Sequence, residues 1–379
     1  MISCQRFHSF LKDAGFCFFT GVPCSCFKSW IDYLSDHEDD LEHIIAANEG
    51  EALAVGTGYH LATKEMPVIY LQNDGLGNMF NPLTSLVDSN VYGIPAILLI
   101  SWRGAPKLKD APQHTRMGEI THDLLDLLEI PFHSYDGDNN ALKSYIEKGV
   151  DFARKEGKPY AIILTKGDLK SYSRSTPSGK TRESKMSREE AIRTIVERLD
   201  ESALVVSTTG RASRELFEYR VEHGEDPGRD FLNIGAMGCA SSIALGIAKH
   251  TDRNVVVLDG DGAALMRMEA LATIGHYQPP NYYHFILDNQ CHDSTGGQKT
   301  VSATVDFCMI ARAVGYRYAI RIESKVKLKE ILQQLLEIAA PALFSVRVKK
   351  GARKNLGRPT ISPLEMKKRF LAHLSSKLK

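Results

Sequence analysis

The sequence lacks most of the features that would assign it at once to a special class. Tryptophan occurs only twice in 379 residues, and the seven cysteines are scattered. Cys24 and Cys26 are separated by a single residue, tighter than the spacing within a zinc-ligand pair, so no zinc site is expected. An odd number of scattered cysteines suits free thiols in a reducing cytoplasm. Neither sign of charge dominates: 47 Lys and Arg stand against 46 Asp and Glu, a net +1. No overall field therefore argues for nucleic acid or a membrane surface. Long apolar runs are missing as well. Stretches such as "AILLI" (Ala96 to Ile100) are far too short to span a bilayer. Arg6, Lys12 and Asp13 precede "GFCFF" and no long apolar segment follows, so no signal peptide is expected. A cytoplasmic protein is the resulting expectation.

What is present is a soluble globular composition, 43% hydrophobic and 25% charged, with length enough for two domains. Short apolar runs alternate with helix-like segments. "MPVIYLQNDG" (66–75), "GIPAILLISWRG" (93–104) and "KPYAIILTKG" (158–167) read as buried strands that end in polar loops. "GEITHDLLDLLE" reads as an intervening helix. Such alternation implies a parallel sheet covered on both faces. The polar run "DLKSYSRSTPSGKTRESKMS" interrupts it and reads as a linker. The expected layout is a first domain over 1–168, a linker over 169–187 and a second domain over 188–379. Ser187 is the expected N-cap of a new helix, with Glu190 completing a capping box. Beyond it "ALVVSTTG", "NVVVLDGDG", "YYHFILDNQ", "YRYAIRI" and "ALFSVRV" resume the alternation. The basic stretch from Arg347 to Lys379, whose one acid is Glu365, reads as a solvated helix face, with an anion site near its beginning as the alternative.

"GDG" (Gly260 to Gly262) follows a strand and precedes "AALMRMEALATIGHY", where Leu265, Met268, Leu271 and Ile274 predict the apolar face of one helix. A strand, a glycine turn and a helix start form an anion site from backbone N–H groups. A dinucleotide fingerprint would need glycine where Leu265 stands, and no Gly-Lys-Ser/Thr follows as a P-loop requires. Asn289 lies 28 positions after Asp261, at the end of the next predicted strand. Adjacent parallel strands would present Asp261 and Asn289 at one sheet edge. A carboxylate, an amide oxygen and a nearby backbone carbonyl make a hard oxygen site suited to Mg²⁺, able to bridge a diphosphate.

This pairing resembles the signature of the thiamine-diphosphate-dependent enzymes. The resemblance implies an α/β fold of two thiamine-diphosphate-binding domains, each a mostly parallel sheet flanked by helices, with no middle domain. It implies that Asp261, Asn289 and the backbone oxygen of Cys291 ligate Mg²⁺. It also implies that Glu49, in "AANEGEALAVGTGYHLAT", is the activating glutamate of the pyrimidine-binding domain. "NIGAMGCASSIALGIA" is similar to the segment that bends the cofactor, with Met237 under the bend. Thr209, Gly210, Gly238, Gly260, Gly262 and Ala263 complete the implied cofactor set. In the family the two half-sites meet across a subunit interface, which implies a homodimer or larger homo-oligomer.

Within that superfamily "HDSTGGQ", "STTGRASRELFE", "DGDGAALM", "SWRGAP", "PQHTRMGEIT" and "GARKNLGRPT" look like the phosphonopyruvate decarboxylase family, with the sulfopyruvate decarboxylases as close relatives. Cys239, Arg267 and Glu269 depart from that pattern, where His, His and Gly are expected. They flank the cofactor site. The implied reaction is decarboxylation of a 2-oxo acid with a second anionic group, in a phosphonate biosynthetic route. Glu49 would favour the imino tautomer that removes the thiazolium C2 proton, and His114 and His292 are the expected proton donors. Arg103, Arg116, Ser294, Thr295 and Gln298 are the expected substrate contacts, with Arg211, Lys299, Arg353 and Arg358 as further candidates. Thus "LDNQCHDSTGGQ" reads as metal ligands followed by a donor-rich substrate loop. The alternatives are sulfopyruvate or another 2-oxo acid as substrate, a catalytically silent cofactor-binding subunit, and a dehydrogenase. The last lacks its glycine fingerprint.

Overall fold

The computed structural model describes residues 1–174 and 184–375. The stretch 175–183 of the expected linker lies outside the described residues. The chain divides into two compact units, Met1–Gly179 and Lys180–Lys379.

In the first unit six parallel strands form one sheet. They are β1 (Phe18–Gly21), β2 (Glu42–Ile45), β3 (Val68–Gln72), β4 (Ile97–Ser101), β5 (Phe132–Ser134) and β6 (Tyr160–Leu164), in the order β2-β1-β3-β4-β6-β5. Successive side chains of a strand point to opposite faces. Val68 and Tyr70 accordingly join Phe7, Trp30 and Ile162 in one core, while Ile69 and Leu71 join Leu53, Leu98 and Ile163 in another. Helices cover both faces, which is why β3, β4 and β6 read as unbroken apolar runs.

The second unit repeats the design. β7 (Leu204–Ser207), β8 (Asp230–Leu232), β9 (Val255–Gly260), β10 (Tyr282–Asp288), β13 (Tyr318–Ile322) and β14 (Ala342–Arg347) form a parallel sheet in the order β13-β14-β10-β9-β7-β8. β11 (Cys291–His292) and β12 (Gln298–Lys299) form a small antiparallel hairpin just after β10. The chain steps from β7 to β8 on one side and then crosses back to β9 on the other, so the switch in strand order lies between β7 and β9. Ligands of open α/β sheets bind at that crevice, outside the carboxyl ends of the strands. Ser187 caps the helix Arg188–Val196 in a capping box with Glu190, as the sequence predicts.

Two readings need correction. The expected helix after GDG is two helices, Asp261–Met266 and Glu269–Tyr277, broken at Arg267. A strict spacing of three drifts about 60° per step around a 3.6-residue helix, so Leu265, Met268, Leu271 and Ile274 do not form one stripe. The first helix packs on β9 and β10, the second on the helices Ala240–Ala248 and Phe307–Ala313. The strands β1, β2, β5 and β8 escape the sequence pattern. Each has three or four residues, and β2, β5 and β8 are sheet edges without a continuous apolar run.

All seven cysteines are free. Among the described residues no helix is long and apolar enough to cross a membrane.

His8, on the helix Cys4–Asp13, is buried between Phe19 and Tyr33. Burial pushes its pKa down from 6.5 to about 4, helped by His37 and Lys12. The folded state therefore favours the neutral ring. Its contribution is complete above pH 6.5 and is lost as pH falls toward 4. The urea midpoint of the protein should drop across that window, and the drop should be shallower in His8→Phe. Denaturation curves at pH 7 and pH 5 check this.

Candidate active site

Glu49 is the first residue of the helix Glu49–Thr63, whose N-cap Asn48 accepts from the Gly50 N–H at 2.8 Å. An acid suits a helix N-terminus, where free N–H groups and the dipole favour negative charge. Here the side chain is turned inward and is only 6% exposed. Asn78 Nδ2 donates to its Oε2 at 2.6 Å. The backbone closes from the other side: a Cβ on Gly75 would stand 2.6 Å from Glu49 Oε1. The turn after β3 thus has no room for a side chain at Gly75.

The same turn holds His114. Asp74 Oδ2 lies 3.0 Å from His114 Nδ1 and accepts from Gln72 Nε2 at 2.6 Å. With Nδ1–H donating to Asp74, the His114 Nε2 is left for exchange with other groups. Neighbouring Asn73 is fully buried. It donates to the Arg103 carbonyl and to Thr121, and accepts from the Arg103 N–H, all at 2.9 Å. Residues 72–78 therefore set both Glu49 and His114. The guanidinium of Arg103 is held bidentately by Asp110, with two contacts of 2.6 Å, and these hydrogen bonds hold Asp110 well below the usual carboxylate range. Arg116 is exposed on the helix Thr115–Leu127 and pairs with Glu119 at 3.2 Å.

In the second unit Asp261 follows β9 and is 2% exposed. Thr300 Oγ1 donates to its Oδ2 at 2.5 Å. Burial, and next the Asp288 charge, push its pKa up to about 7. Among the described residues no lysine or arginine forms an ion pair with it. Asn289 is buried at the end of β10; its Oδ1 accepts from the Cys291 N–H at 3.0 Å and its Nδ2 donates to Asp293 Oδ2 at 2.7 Å. Burial raises the pKa of the Cys291 thiol well above its usual value, and its Sγ donates to Asp293 Oδ1 at 3.2 Å. Its carbonyl accepts from the Asp293 N–H at 3.1 Å and keeps a second lone pair. Among the described residues no three His, Cys, Asp or Glu side chains group as a metal site. The donor set around Asp261 needs only one such side chain. A buried carboxylate lacking a cation, with an amide oxygen and a carbonyl, has the chemistry of a hard divalent-ion site.

The implied cofactor residues meet here. A Cβ on Gly262 would come within 2.9 Å of the His292 ring and 3.5 Å of Met237 Cε, so the three are neighbours. Burial pushes His292 down to about 4, leaving it neutral near pH 7. Gly210 has φ +94 at the start of the helix Arg211–Glu222, and a Cβ there would meet Ser294 Oγ at 2.7 Å. Gly238, at φ +84, faces the Ala263 carbonyl and the Arg267 side chain. Thr209 Oγ1 donates to the Ile234 carbonyl at 2.8 Å. Thr295 and Gln298 turn inward and bond each other across the hairpin at 2.9 Å, while Ser294 is exposed. Lys299 and Arg358 are exposed, and Arg353 pairs with Glu189 and Glu218. Asp74, Asn78, Thr300 and Asp293 were not foreseen. The polar "QNDG" at the end of β3 was the available signal for Asp74.

Two doubly wound sheets with these strand-end sites define a thiamine-diphosphate-binding class of enzyme. The model of the thiamine pyrophosphate enzyme N-terminal binding domain matches residues 5–127, and that of the C-terminal binding domain matches 210–346. A phosphonopyruvate decarboxylase of Streptomyces viridochromogenes is 37% identical over 370 residues, covering 94% of this chain and 91% of that protein. One of Streptomyces hygroscopicus is 36% identical, covering 98% and 93%. A sulfopyruvate decarboxylase of Methanosarcina acetivorans is 26% identical, covering 97% and 96%. The chain belongs to the thiamine pyrophosphate enzymes and, within them, to the phosphonopyruvate decarboxylase family of carboxy-lyases.

Gly262→Ala must displace His292 or the turn. With the turn displaced, the thiamine diphosphate Kd should rise, by about tenfold for each ~1.4 kcal/mol of binding lost. A Cβ on Gly246 would meet nothing within 4 Å, so Gly246→Ala should leave the affinity unchanged. Calorimetric titration of both variants checks this.

Proposed function

We propose that the protein decarboxylates 3-phosphonopyruvate to phosphonoacetaldehyde and CO₂, using thiamine diphosphate and Mg²⁺, within a phosphonate biosynthetic route. The observation that carries this reading is near full-length similarity to two phosphonopyruvate decarboxylases at 36–37% identity. It is joined by a buried Glu49 and a buried Asp261–Asn289 pair.

Thiamine diphosphate, when bound, supplies the carbon nucleophile and the electron sink that loss of CO₂ from a 2-oxo acid requires. The protein's own groups do the rest. Asp261, Asn289 and the Cys291 carbonyl hold Mg²⁺. The backbone of Gly260–Ala263, with Thr209, Gly210 and Gly238, leaves room for the diphosphate, and Met237 supports the cofactor. Glu49 presents a buried carboxyl for proton exchange with the cofactor, fixed by Asn78 and by the Gly75 turn. His114 handles a proton at Nε2, with its other nitrogen committed to Asp74. His292, kept neutral by burial, is able both to accept and to donate a hydrogen bond. The second anion of the substrate calls for fixed donors. Arg103 has its fork pre-set by Asp110, and the Ser294 hydroxyl is exposed. Arg116, Thr295 and Gln298 remain candidates that would need to reorient.

Sulfopyruvate is the second reading. The sulfopyruvate decarboxylase relative covers nearly the whole chain, and sulfonate and phosphonate are both tetrahedral anions. CO₂ release from phosphonopyruvate, sulfopyruvate and pyruvate, with and without thiamine diphosphate and Mg²⁺, separates them. Cofactor-dependent turnover that strongly favours phosphonopyruvate is expected. Preference for sulfopyruvate would move the enzyme to the other substrate. Assembly as at least a homodimer is part of the same reading. Mixing Glu49→Gln chains with Asp261→Ala chains should then restore activity that neither has alone, and verified mixed dimers without activity would count against it.

A further inference from the structure

Asp293 stands two residues beyond Cys291, in the hairpin turn, where an aspartate ordinarily only shapes the loop. Its surroundings are unusual for a turn residue. The side chain is 8% exposed and its two oxygens accept from four donors. These are Arg188 Nη1 at 2.8 Å, Asn289 Nδ2 at 2.7 Å, Cys291 Sγ at 3.2 Å and the Gly351 N–H at 3.0 and 3.1 Å to the two oxygens; the Arg188 contact is also an ion pair. Arg188 is itself fixed. Glu215, 1% exposed, holds its Nε and Nη2, both at 2.8 Å. The carboxylate is therefore locked to the helix Arg188–Val196 and, through Glu215, to the helix Arg211–Glu222.

A buried ion pair of this kind is weak support for stability, because desolvation offsets the attraction. Placement is the better account. The amide of Asn289 has two chemically different ends. Asp293 accepts from its nitrogen, and the Cys291 N–H donates to its oxygen. Only one of the two amide orientations satisfies both partners. In that orientation the oxygen points away from Asp293 with a lone pair to spare. The charge pattern agrees. Asp288 and Asp293 flank Asn289 in sequence, and each is paired with an arginine, Arg347 at 3.0 Å and Arg188 at 2.8 Å. Their charges are thus compensated, whereas that of Asp261 is not.

We propose that Asp293, anchored by Arg188 and Glu215, is the positioning residue that sets the Asn289 amide with its oxygen toward the metal. The inference rests on the reading above that Asp261, Asn289 and the Cys291 carbonyl hold a divalent cation. The outer partners of metal ligands typically govern about 10–100-fold in metal affinity.

The test uses Mn²⁺ as probe, with free Mn²⁺ followed by its electron paramagnetic resonance signal, in the presence of thiamine diphosphate and the full-length protein. Asp293→Asn should raise the Mn²⁺ Kd by about 10–100-fold. Asp293→Glu keeps the charge and a partner for Arg188 but moves the carboxylate by one methylene, and it should weaken binding as well. The metal-dependent rise in melting temperature should shrink in both variants, beyond any change in the metal-free melt. Should Asp293→Asn not fold, Asp293→Glu alone decides. Binding within twofold of the parent in a folded variant overturns the inference. So does full affinity in Asp293→Glu, since charge rather than geometry would then suffice. A parent protein with no cofactor-dependent Mn²⁺ binding would instead overturn the functional reading beneath it.

Discussion

Asp261 is a carboxylate carried to the end of β9, closed off from water, with another acid, Asp288, near enough to push its pKa further up. Burying an uncompensated charge is among the least favourable arrangements a fold can contain. The second unit nevertheless directs several elements to this point. β9 and β10 are neighbours whose register pairs Gly260 with Leu287, which brings Asp261 and Asn289 to the same edge of the sheet. Thr300 returns from beyond the hairpin to donate to Asp261, and Ser302 donates to Asp288. A divalent cation at this point, as proposed above, would offset that cost.

The first unit solves a different problem with the same type of sheet. Its buried carboxylate, Glu49, accepts from the neutral amide of Asn78. One short segment after β3 serves both chemical groups. Asp74 holds His114, while Gly75 and Asn78 hold Glu49. Gly104 and Gly118 bring the loop of His114 against the helix that follows it. A Cβ on either would fall within about 2 Å of backbone, at the His114 and the Gly104 carbonyl respectively. Close backbone approach thus replaces side-chain packing where His114 is set.

Much of this was legible in the residues. Apolar runs marked the central strands because both faces of each are covered, so no polar alternation interrupts them. GDG and Asn289 were legible as polar residues closing two successive apolar runs, and they do stand at the ends of β9 and β10. Edge strands such as β2 and β8 were not, since a few half-exposed residues carry no pattern. The helix break at Arg267 was hidden by apolar residues spaced by three, which mimic helical periodicity over short spans. The partners of the functional groups were the least visible. Asn78 is 29 residues from Glu49 and Asp74 is 40 from His114, and no local pattern encodes such pairings. The internal bonding of the donor-rich hairpin was also hidden. Thr295 and Gln298 bond each other, while Asp293, not singled out within the loop, ties it to Arg188, Asn289 and Gly351.

The central claim is that Asp261 and Asn289 bind the cofactor through a divalent ion and not through the glycine turn alone. Calorimetric titration of thiamine diphosphate into metal-stripped protein, with and without Mg²⁺, tests it most directly. The account predicts that tight binding requires the metal. Equal affinity in the presence of a chelator would contradict it, and would leave the buried carboxylate at the end of β9 without the role given to it here.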